Sequence, residues 1–130
     1  MIEILKNIPF FADLPEEDLN AIMENIQLQY FPADHEIFQE AAIGDIMYII
    51  KRGKVQVIRT SAVIAELSDN DFFGEMALVS EEPRNATVKT LTDLEVLTLN
   101  KADFQHLMSS NPTIASMISY EVVNRANDLN

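Results

Sequence analysis

The stretch FFGEMALVSEEPRNATV, residues 72–88, decides the prediction of the fold. It begins with two aromatic residues at the end of a strand-like run, and Gly74 separates them from EMAL, a group of strong helix formers. This order predicts a short helix that begins near Gly74 or Glu75. Pro83 then fixes the backbone φ angle just before Arg84, where the chain enters the next apolar run.

The charge of the whole chain makes Arg84 a candidate functional residue. The sequence has 9 Lys and Arg against 21 Asp and Glu, which gives a formal net charge of -12. Such a chain repels phosphate polymers and has no basic stripe that could follow a nucleic-acid backbone, so we expect no direct binding of nucleic acid. An anionic ligand must therefore be small and held by local donors, and a guanidinium can bind two phosphate oxygens at once.

Patterns on both sides of this stretch predict a protein that is mainly β with flanking helices. Residues 1–26 form an N-terminal helical element, because apolar residues recur at helical spacing in residues 15–26. Residues 27–100 contain short runs that alternate or are rich in Ile and Val, which predicts an antiparallel, jelly-roll-like β-roll. The predicted strand runs are residues 28–31, 36–38, 46–51, 54–59, 63–67, 86–91 and 95–100. Residues 101–130 predict two C-terminal helices, and residues 1–130 are interpreted as one domain.

The first C-terminal helix has a predicted start. Asn100 is its N-cap, and Asp103 occupies the capping-box position. The residues that this helix turns toward the core are Phe104, Leu107 and Met108. Asn111 and Pro112 open the second helix, whose long apolar stripe needs a surface to cover.

Several classes of function are not expected from this composition. The chain has no Cys, which excludes disulfides and thiol catalysis and suits a cytoplasmic location. No apolar run reaches the length of a membrane span, and the N-terminus lacks the features of a signal peptide, so we expect no membrane insertion. His35 and His106 lie far apart without partner ligands, and no acid–base pair or activated nucleophile is recognisable. We therefore expect no metal, no cofactor and no enzymatic activity.

The carboxylate of Glu75 can take part in ligand binding even though it lies beside a predicted anion site. A carboxylate only accepts hydrogen bonds and can take the proton of a sugar hydroxyl, while Arg84 and the first amides of the short helix hold a phosphate nearby. A ligand that joins a hydroxyl to a singly charged phosphodiester is a 3′,5′-cyclic nucleotide. Two or three charged hydrogen bonds of about 1.5 to 3 kcal/mol each, together with burial of the base, reach the roughly 8 kcal/mol of a micromolar ligand.

The same residues carry a resemblance to a known family. Residues 73–78 and 83–88 resemble the phosphate-binding cassette of the cyclic nucleotide-binding domain family, with the family's spacing between Glu75 and Arg84. The likeness extends to residues 44–50, 53–57 and 102–104. We call residues 72–88 the cassette. The resemblance implies a β-roll with an N-terminal helical element and a C-terminal hinge and lid.

The resemblance also implies roles for individual residues. Glu75 would bind the ribose 2′-hydroxyl and Arg84 the exocyclic phosphate oxygens, with Gly74 allowing close approach. The residues whose backbone amides would complete the phosphate site are Met76, Ala77 and Ala86. The candidates for packing against the base are Val57, Val63 and Ala65. Arg125 would be a lid contact, with a solvated position near the end of the helix as the alternative.

The resemblance also bears on selectivity for the base of the nucleotide and on the effector that binding would control. Asn85 stands where the family often carries Ala, Ser or Thr, which leaves base selectivity open, and the overall resemblance favours cAMP over cGMP. Binding would move the C-terminal helices and so act on an attached or separate effector such as a channel, at the cytoplasmic face of a membrane in that case. The alternative is a domain of the same fold without ligand that packs against a partner protein. Three further positions depart from family glycines, namely His35, Ala41 and Asn70.

Overall fold

The computed structural model describes residues 2–9 and 11–112 of the chain. The second predicted C-terminal helix and Arg125 lie outside these residues. The helices are α1 (Glu3–Lys6), α2 (Glu16–Met23) and α3 (Lys101–Ser110), with one 3-10 helix at Glu75–Leu78. The strands are β1 (Gln27–Phe31), β2 (Glu36–Phe38), β3 (Ile46–Arg52), β4 (Val55–Arg59), β5 (Ala62–Leu67), β6 (Phe72–Phe73), β7 (Thr87–Thr90) and β8 (Leu94–Asn100).

The strands form two four-stranded sheets. Their orders are β1-β8-β3-β6 and β2-β7-β4-β5, and the paired strands run antiparallel. Strands far apart in sequence are neighbours, since Leu28 lies opposite Leu97 and Phe38 lies opposite Val88. This is the antiparallel β-roll with flanking helices that the sequence predicts, and the fold prediction is confirmed for the described residues.

The central strands β3 and β8 of the first sheet are buried on both faces, which explains why they are nearly continuous apolar runs, whereas β1 at its edge is mostly exposed. One face packs against the helices, and the other faces the second sheet inside the roll. The buried strand residues on the helix side are Met47, Ile49, Leu97 and Leu99. The buried residues inside the roll are Tyr48, Ile50, Val55, Val57, Phe73, Ala86, Val88, Leu94 and Val96.

Helix α3 begins where the sequence predicts. The side chain of Asn100 accepts a hydrogen bond from the amide of Asp103 at 2.8 Å, and its own amide group donates to the Asp103 carboxylate at 3.1 Å. Phe104 and Leu107 are buried in the apolar cluster on the helix side of the first sheet, and Met108 packs beside them. Among the residues that the structure describes, no helix combines the length and the apolar composition needed to cross a membrane.

The family glycine positions behave differently from one another. Asn70 and Ala41 both adopt left-handed backbone conformations, with φ of 74° at each. Asn tolerates this region better than most residues, whereas Ala pays a steric cost there. In the turn before β2, Asp34 has the positive φ of 64° and His35 is not among the positive-φ residues. The left-handed residue of this turn is therefore Asp34, one residue before the position where the family often carries Gly.

We predict that Ala41→Gly stabilises the protein. Relief of the left-handed strain, about 1 to 2 kcal/mol, exceeds the extra entropy of a glycine in the unfolded chain, about 0.5 to 1 kcal/mol. Urea unfolding monitored by circular dichroism measures the difference. Ala42→Gly is the matched control, because Ala42 is also exposed but has no positive φ, and it should lower the stability. Equal effects of the two substitutions would show that strain at Ala41 is not relieved.

Candidate functional site

The cassette begins with a left-handed turn at Gly74. Its φ and ψ are 78° and 15°, a conformation that glycine adopts without steric cost. The turn ends β6 and starts the 3-10 helix at Glu75, so the predicted short helix lies where the sequence places it. Ala77 and Leu78 are buried, which anchors this single turn on the core.

Arg84 is buried at the other end of the cassette. Its side chain is only 6% exposed. Nη1 donates to the carbonyl oxygen of Gly74 at 3.3 Å, and Nη2 donates to that of Ile46 at 2.8 Å. Its backbone is equally fixed, because Arg84 N donates to Ala42 O and Arg84 O accepts from Ala41 N, both at 2.8 Å.

The guanidinium of Arg84 lies in a narrow slot. The Cζ atom is 4.0 Å from the centroid of the Phe38 ring. A Cβ atom added to Gly44 would lie 2.6 Å from Cζ, so the guanidinium would have to shift to make room for any side chain there. A Cβ atom at Gly74 would lie 2.8 Å from Nη1. Both glycines are therefore required by the arginine, and Gly44 is needed for space alone.

Burial determines the electrostatics of this arginine. It lowers the pKa of Arg84, while Tyr48, Asp45 and Glu75 act in the opposite direction. An arginine remains protonated near neutral pH despite such a shift. Its Nε atom is buried and has no hydrogen-bond partner among the described residues. The site therefore holds a cation whose donors are not all used within this part of the chain.

Two buried acidic or phenolic groups accompany Arg84. Glu75 is 1% exposed at the start of the 3-10 helix, and its charge favours the protonated form of the guanidinium. Burial raises the pKa of Tyr48, and the nearby Arg84 opposes that shift. The structure thus brings Gly74, Glu75 and Arg84 together, as the spacing in the sequence predicts.

The other predicted site residues of the cassette differ in their burial and in their contacts. Met76 is half-buried and packs against the helix-side cluster, and the amide of Ala77 donates to Gly74 O at 3.2 Å. Ala86 is fully buried inside the roll. Asn85 is half-buried, and its Oδ1 atom is buried without a hydrogen-bond partner in the described part of the chain.

The three candidates for packing against a base do not share one face. Val57 is 3% exposed and lies opposite Ala65, which packs against the interior cluster. A register shift follows, so that Val63 pairs with Ile58 instead. Because cross-strand partners share a face, Val63 lies on the side opposite to Val57, and it is 56% exposed. Because of this bulge, Val63 does not share a face with Val57 and Ala65, and the prediction that all three residues line one surface is wrong.

Sequence reasoning assigned no role to several residues that shape the site. Phe38 and Gly44 enclose the guanidinium of Arg84, and Tyr48 lies near it. Arg59 donates from Nε to the backbone oxygen of Asn85 at 3.0 Å and so fixes the end of the cassette. Gly44 and Tyr48 belong to a stretch that carries the family resemblance, and this was the signal for them. Arg59 belongs to a short turn that resembles those of channel domains, whereas Phe38 has no such signal.

A separate groove of about 480 Å³ lies along β1 and β8, lined by Tyr30, Phe31, Pro32, Arg52, Asp93, Leu94 and Glu95. It contains none of the predicted site residues. No group of three or more His, Cys, Asp or Glu that could hold a metal ion occurs within residues 2–9 and 11–112. The buried cation beside the 3-10 helix is therefore the candidate site that we describe further.

The fold and the site together define a class of β-roll domain in which a buried arginine lies against a short glycine-led helix. The family model of the cyclic nucleotide-binding domain matches residues 28–111 of this chain. That match covers well over half of the sequence, and the chain belongs to the cyclic nucleotide-binding domain family. Domains of this family are regulatory.

Known relatives are larger proteins of several kinds. The chain is 36% identical over 123 residues to a cyclic nucleotide-gated potassium channel of Rhizobium etli, covering 95% of this chain and 34% of the channel. It is 33% identical over 107 residues to a cAMP-dependent protein kinase regulatory subunit of Eremothecium gossypii, covering 82% of this chain and 23% of that subunit. The chain thus spans about a third of the channel and less than a quarter of the kinase subunit.

A solved structure is also similar over nearly its whole length. The N-terminal domain of a transcriptional regulator from Streptomyces coelicolor aligns with a TM-score of 0.86 at 27% identity. The alignment covers 95% of this chain and 90% of that domain. The β-roll and its flanking helices are therefore common to proteins with different outputs.

We predict that Gly44→Ala destabilises the protein by about 1 to 3 kcal/mol, because the new methyl group overlaps the guanidinium of Arg84. Urea unfolding measures this cost. In an Arg84→Ala background, the same Gly44→Ala change should cost much less, since the group that it strikes has been removed. Equal costs in the two backgrounds would contradict the slot described above.

Proposed function

We propose that this domain binds a 3′,5′-cyclic nucleotide, with Arg84 on the phosphate. The observation that carries the proposal is the burial of Arg84 with Nε unpaired among the described residues. Removal of a cation from water is costly unless a counter-charge and hydrogen bonds compensate it. A phosphodiester supplies both, through one negative charge and two free oxygens.

The number of donors supports a small anion. A guanidinium has five N–H groups, and two of them donate to the carbonyls of Gly74 and Ile46. The N–H group on Nε is buried and donates to no acceptor among the described residues, so at least this donor is left for another partner. In a chain of net charge -12, long-range attraction does not favour an anion, so the affinity must come from such short contacts.

The rest of a nucleotide has candidate partners around the arginine. Glu75 lies near Arg84 and accepts from the ribose hydroxyl in our proposal. Asn85 has a buried Oδ1 atom at the end of the cassette and can contact the phosphate or the base. Val57 and Ala65 share the inner face of the second sheet and form the candidate surface for the base. Val63 is left out because it lies on the outer face.

We propose cAMP as the preferred nucleotide and cGMP as the weaker one. The order rests on the overall resemblance, since one relative is named as a cAMP-dependent kinase regulatory subunit, another only as cyclic nucleotide-gated and a third as a cGMP-dependent kinase. A channel or a kinase subunit is accordingly the kind of effector that we propose for the domain.

We also propose that binding is transmitted through the C-terminal helices. Contacts between the cassette and α3 support this step. Lys101, the first residue of α3, donates from Nζ to the backbone oxygen of Ser80 at 3.2 Å and forms an ion pair with Glu81. Its backbone amide donates to Asp45 O at 2.8 Å. A ligand can shift these helices only by its difference in affinity between their two positions.

Isothermal titration with cAMP and cGMP tests the proposed ligand, and thermal unfolding provides a second readout. At 100 times its dissociation constant, the nucleotide should raise the free energy of unfolding by about 2.7 kcal/mol. Arg84→Lys should weaken binding about tenfold or more, because it keeps the charge but loses the planar fork.

Arg52→Lys is the matched control for that substitution. The Arg52 side chain is 75% exposed and pairs with Glu95 away from the cassette, so nucleotide affinity should not change. If millimolar cAMP and cGMP both leave the parent protein's melting temperature unchanged, the proposed ligand is wrong. A domain that packs against a partner protein then becomes the better interpretation.

A lid contact by Arg125, which lies outside the described residues, is proposed from the resemblance. Arg125→Ala should weaken nucleotide binding while the stability of the ligand-free protein stays nearly unchanged, because the contact is made mainly in the bound form. Titration calorimetry and urea unfolding measure the two quantities. Identical affinities of the variant and the parent would remove Arg125 from the mechanism.

A further inference from the structure

We propose that Phe38 is a positioning residue for the ligand site, because its ring orients the guanidinium of Arg84. This inference rests on the proposed function. The Arg84 Cζ atom lies 4.0 Å from the centroid of the Phe38 ring. Phe38 comes 46 residues before Arg84, and the pairing of β2 with β7 brings it opposite Val88 and so beside the cassette.

The ring itself is held in place by other aromatic groups. Its centroid lies 5.9 Å from that of Tyr48 and 5.9 Å from that of Phe73. Tyr48 and Phe73 stack on each other at 5.0 Å with an interplanar angle of 12°. These contacts restrict the movement of Phe38, so the surface that it offers to the arginine is fixed before any ligand arrives.

An aromatic ring that contacts the face of the guanidinium acts differently from a carbonyl oxygen that accepts a hydrogen bond at the edge of the guanidinium. Hydrogen bonds to Gly74 O and Ile46 O use two N–H groups, whereas contact with the aromatic face uses none. Phe38 therefore stabilises the buried charge and sets the plane of the fork while the remaining donors stay available. The Gly44 backbone also lies close to the guanidinium, since a Cβ atom added there would overlap it.

The consequence is preorganisation of the fork. An arginine side chain has several rotatable bonds, and fixing them during binding reduces affinity. A fork that is already held by an aromatic platform avoids most of that loss. An aliphatic side chain at position 38 could fill the volume, but it has no negative π face to attract the cation.

Phe38→Leu and Phe38→Tyr separate a platform from a simple packing residue. Tyr keeps the aromatic face and Leu does not. We expect Phe38→Leu to weaken cAMP binding about threefold to thirtyfold and Phe38→Tyr to retain affinity close to that of the parent. In an Arg84→Lys background, Phe38→Leu should have little further effect on affinity, because the fork that the ring orients is absent.

A series of fluorinated phenylalanines tests the same interaction with side chains of nearly constant shape, so the result does not depend on a change in folding. Phenylalanine at position 38 is replaced by mono-, di- and trifluorinated phenylalanine, which weakens the negative face with little change in volume. Affinity for cAMP should fall with each fluorine. Phe31→Leu is the matched control, since Phe31 also packs against Tyr48 in the interior cluster and makes no contact of this kind with Arg84.

The outcomes separate this inference from the proposed function. If the parent protein binds neither cAMP nor cGMP, the proposed function fails and the role of Phe38 in binding fails with it. If the parent binds cAMP and the fluorinated series and Phe38→Leu bind equally well, only the role of Phe38 is overturned. A loss of affinity with Phe31→Leu as large as that with Phe38→Leu would also overturn it, because the effect would then be general packing.

Discussion

The structure of this site depends on one buried cation. Arg84 is 6% exposed, and its charge is stabilised by two backbone carbonyls and the face of Phe38. The carbonyls belong to Gly74 and Ile46, which lie at the start of the cassette and of β3. One side chain therefore joins the two ends of the cassette to the first sheet. Any change that moves the guanidinium also moves the backbone that surrounds it.

The same arrangement explains the glycines of the site. Gly74 is needed both for its left-handed turn and for the space beside Nη1, whereas Gly44 is needed because the guanidinium occupies the place of a side chain. Arg59 and Lys101 then hold the cassette from outside, the first through Asn85 O and the second through Ser80 O. Rigid support around an arginine is what a site for a small anion requires in an acidic protein.

Local patterns in the sequence predicted the features that depend on neighbouring residues. The short helix at Gly74, the cap at Asn100 and most strands depend on propensity, alternation and capping chemistry within a few residues. Strand β6 covers only the two aromatic residues that end the strand-like run predicted before Gly74. The platform at Phe38 was missed because it arises from the pairing of β2 with β7, and Val63 was misplaced because a bulge changes which residues share a face. Long-range pairing and register are not visible in a single sequence.

The pairing of β1 with β8 affects how the protein folds during its synthesis on the ribosome. Gln27 lies opposite Thr98, so the first sheet needs a strand that is synthesised some 70 residues after its partner. Such non-local pairing slows folding, and during synthesis β1 must wait with its edge open until the last strand has left the exit tunnel. The first sheet is thus incomplete until β8 has been synthesised, and β1 presents unpaired backbone groups during that interval.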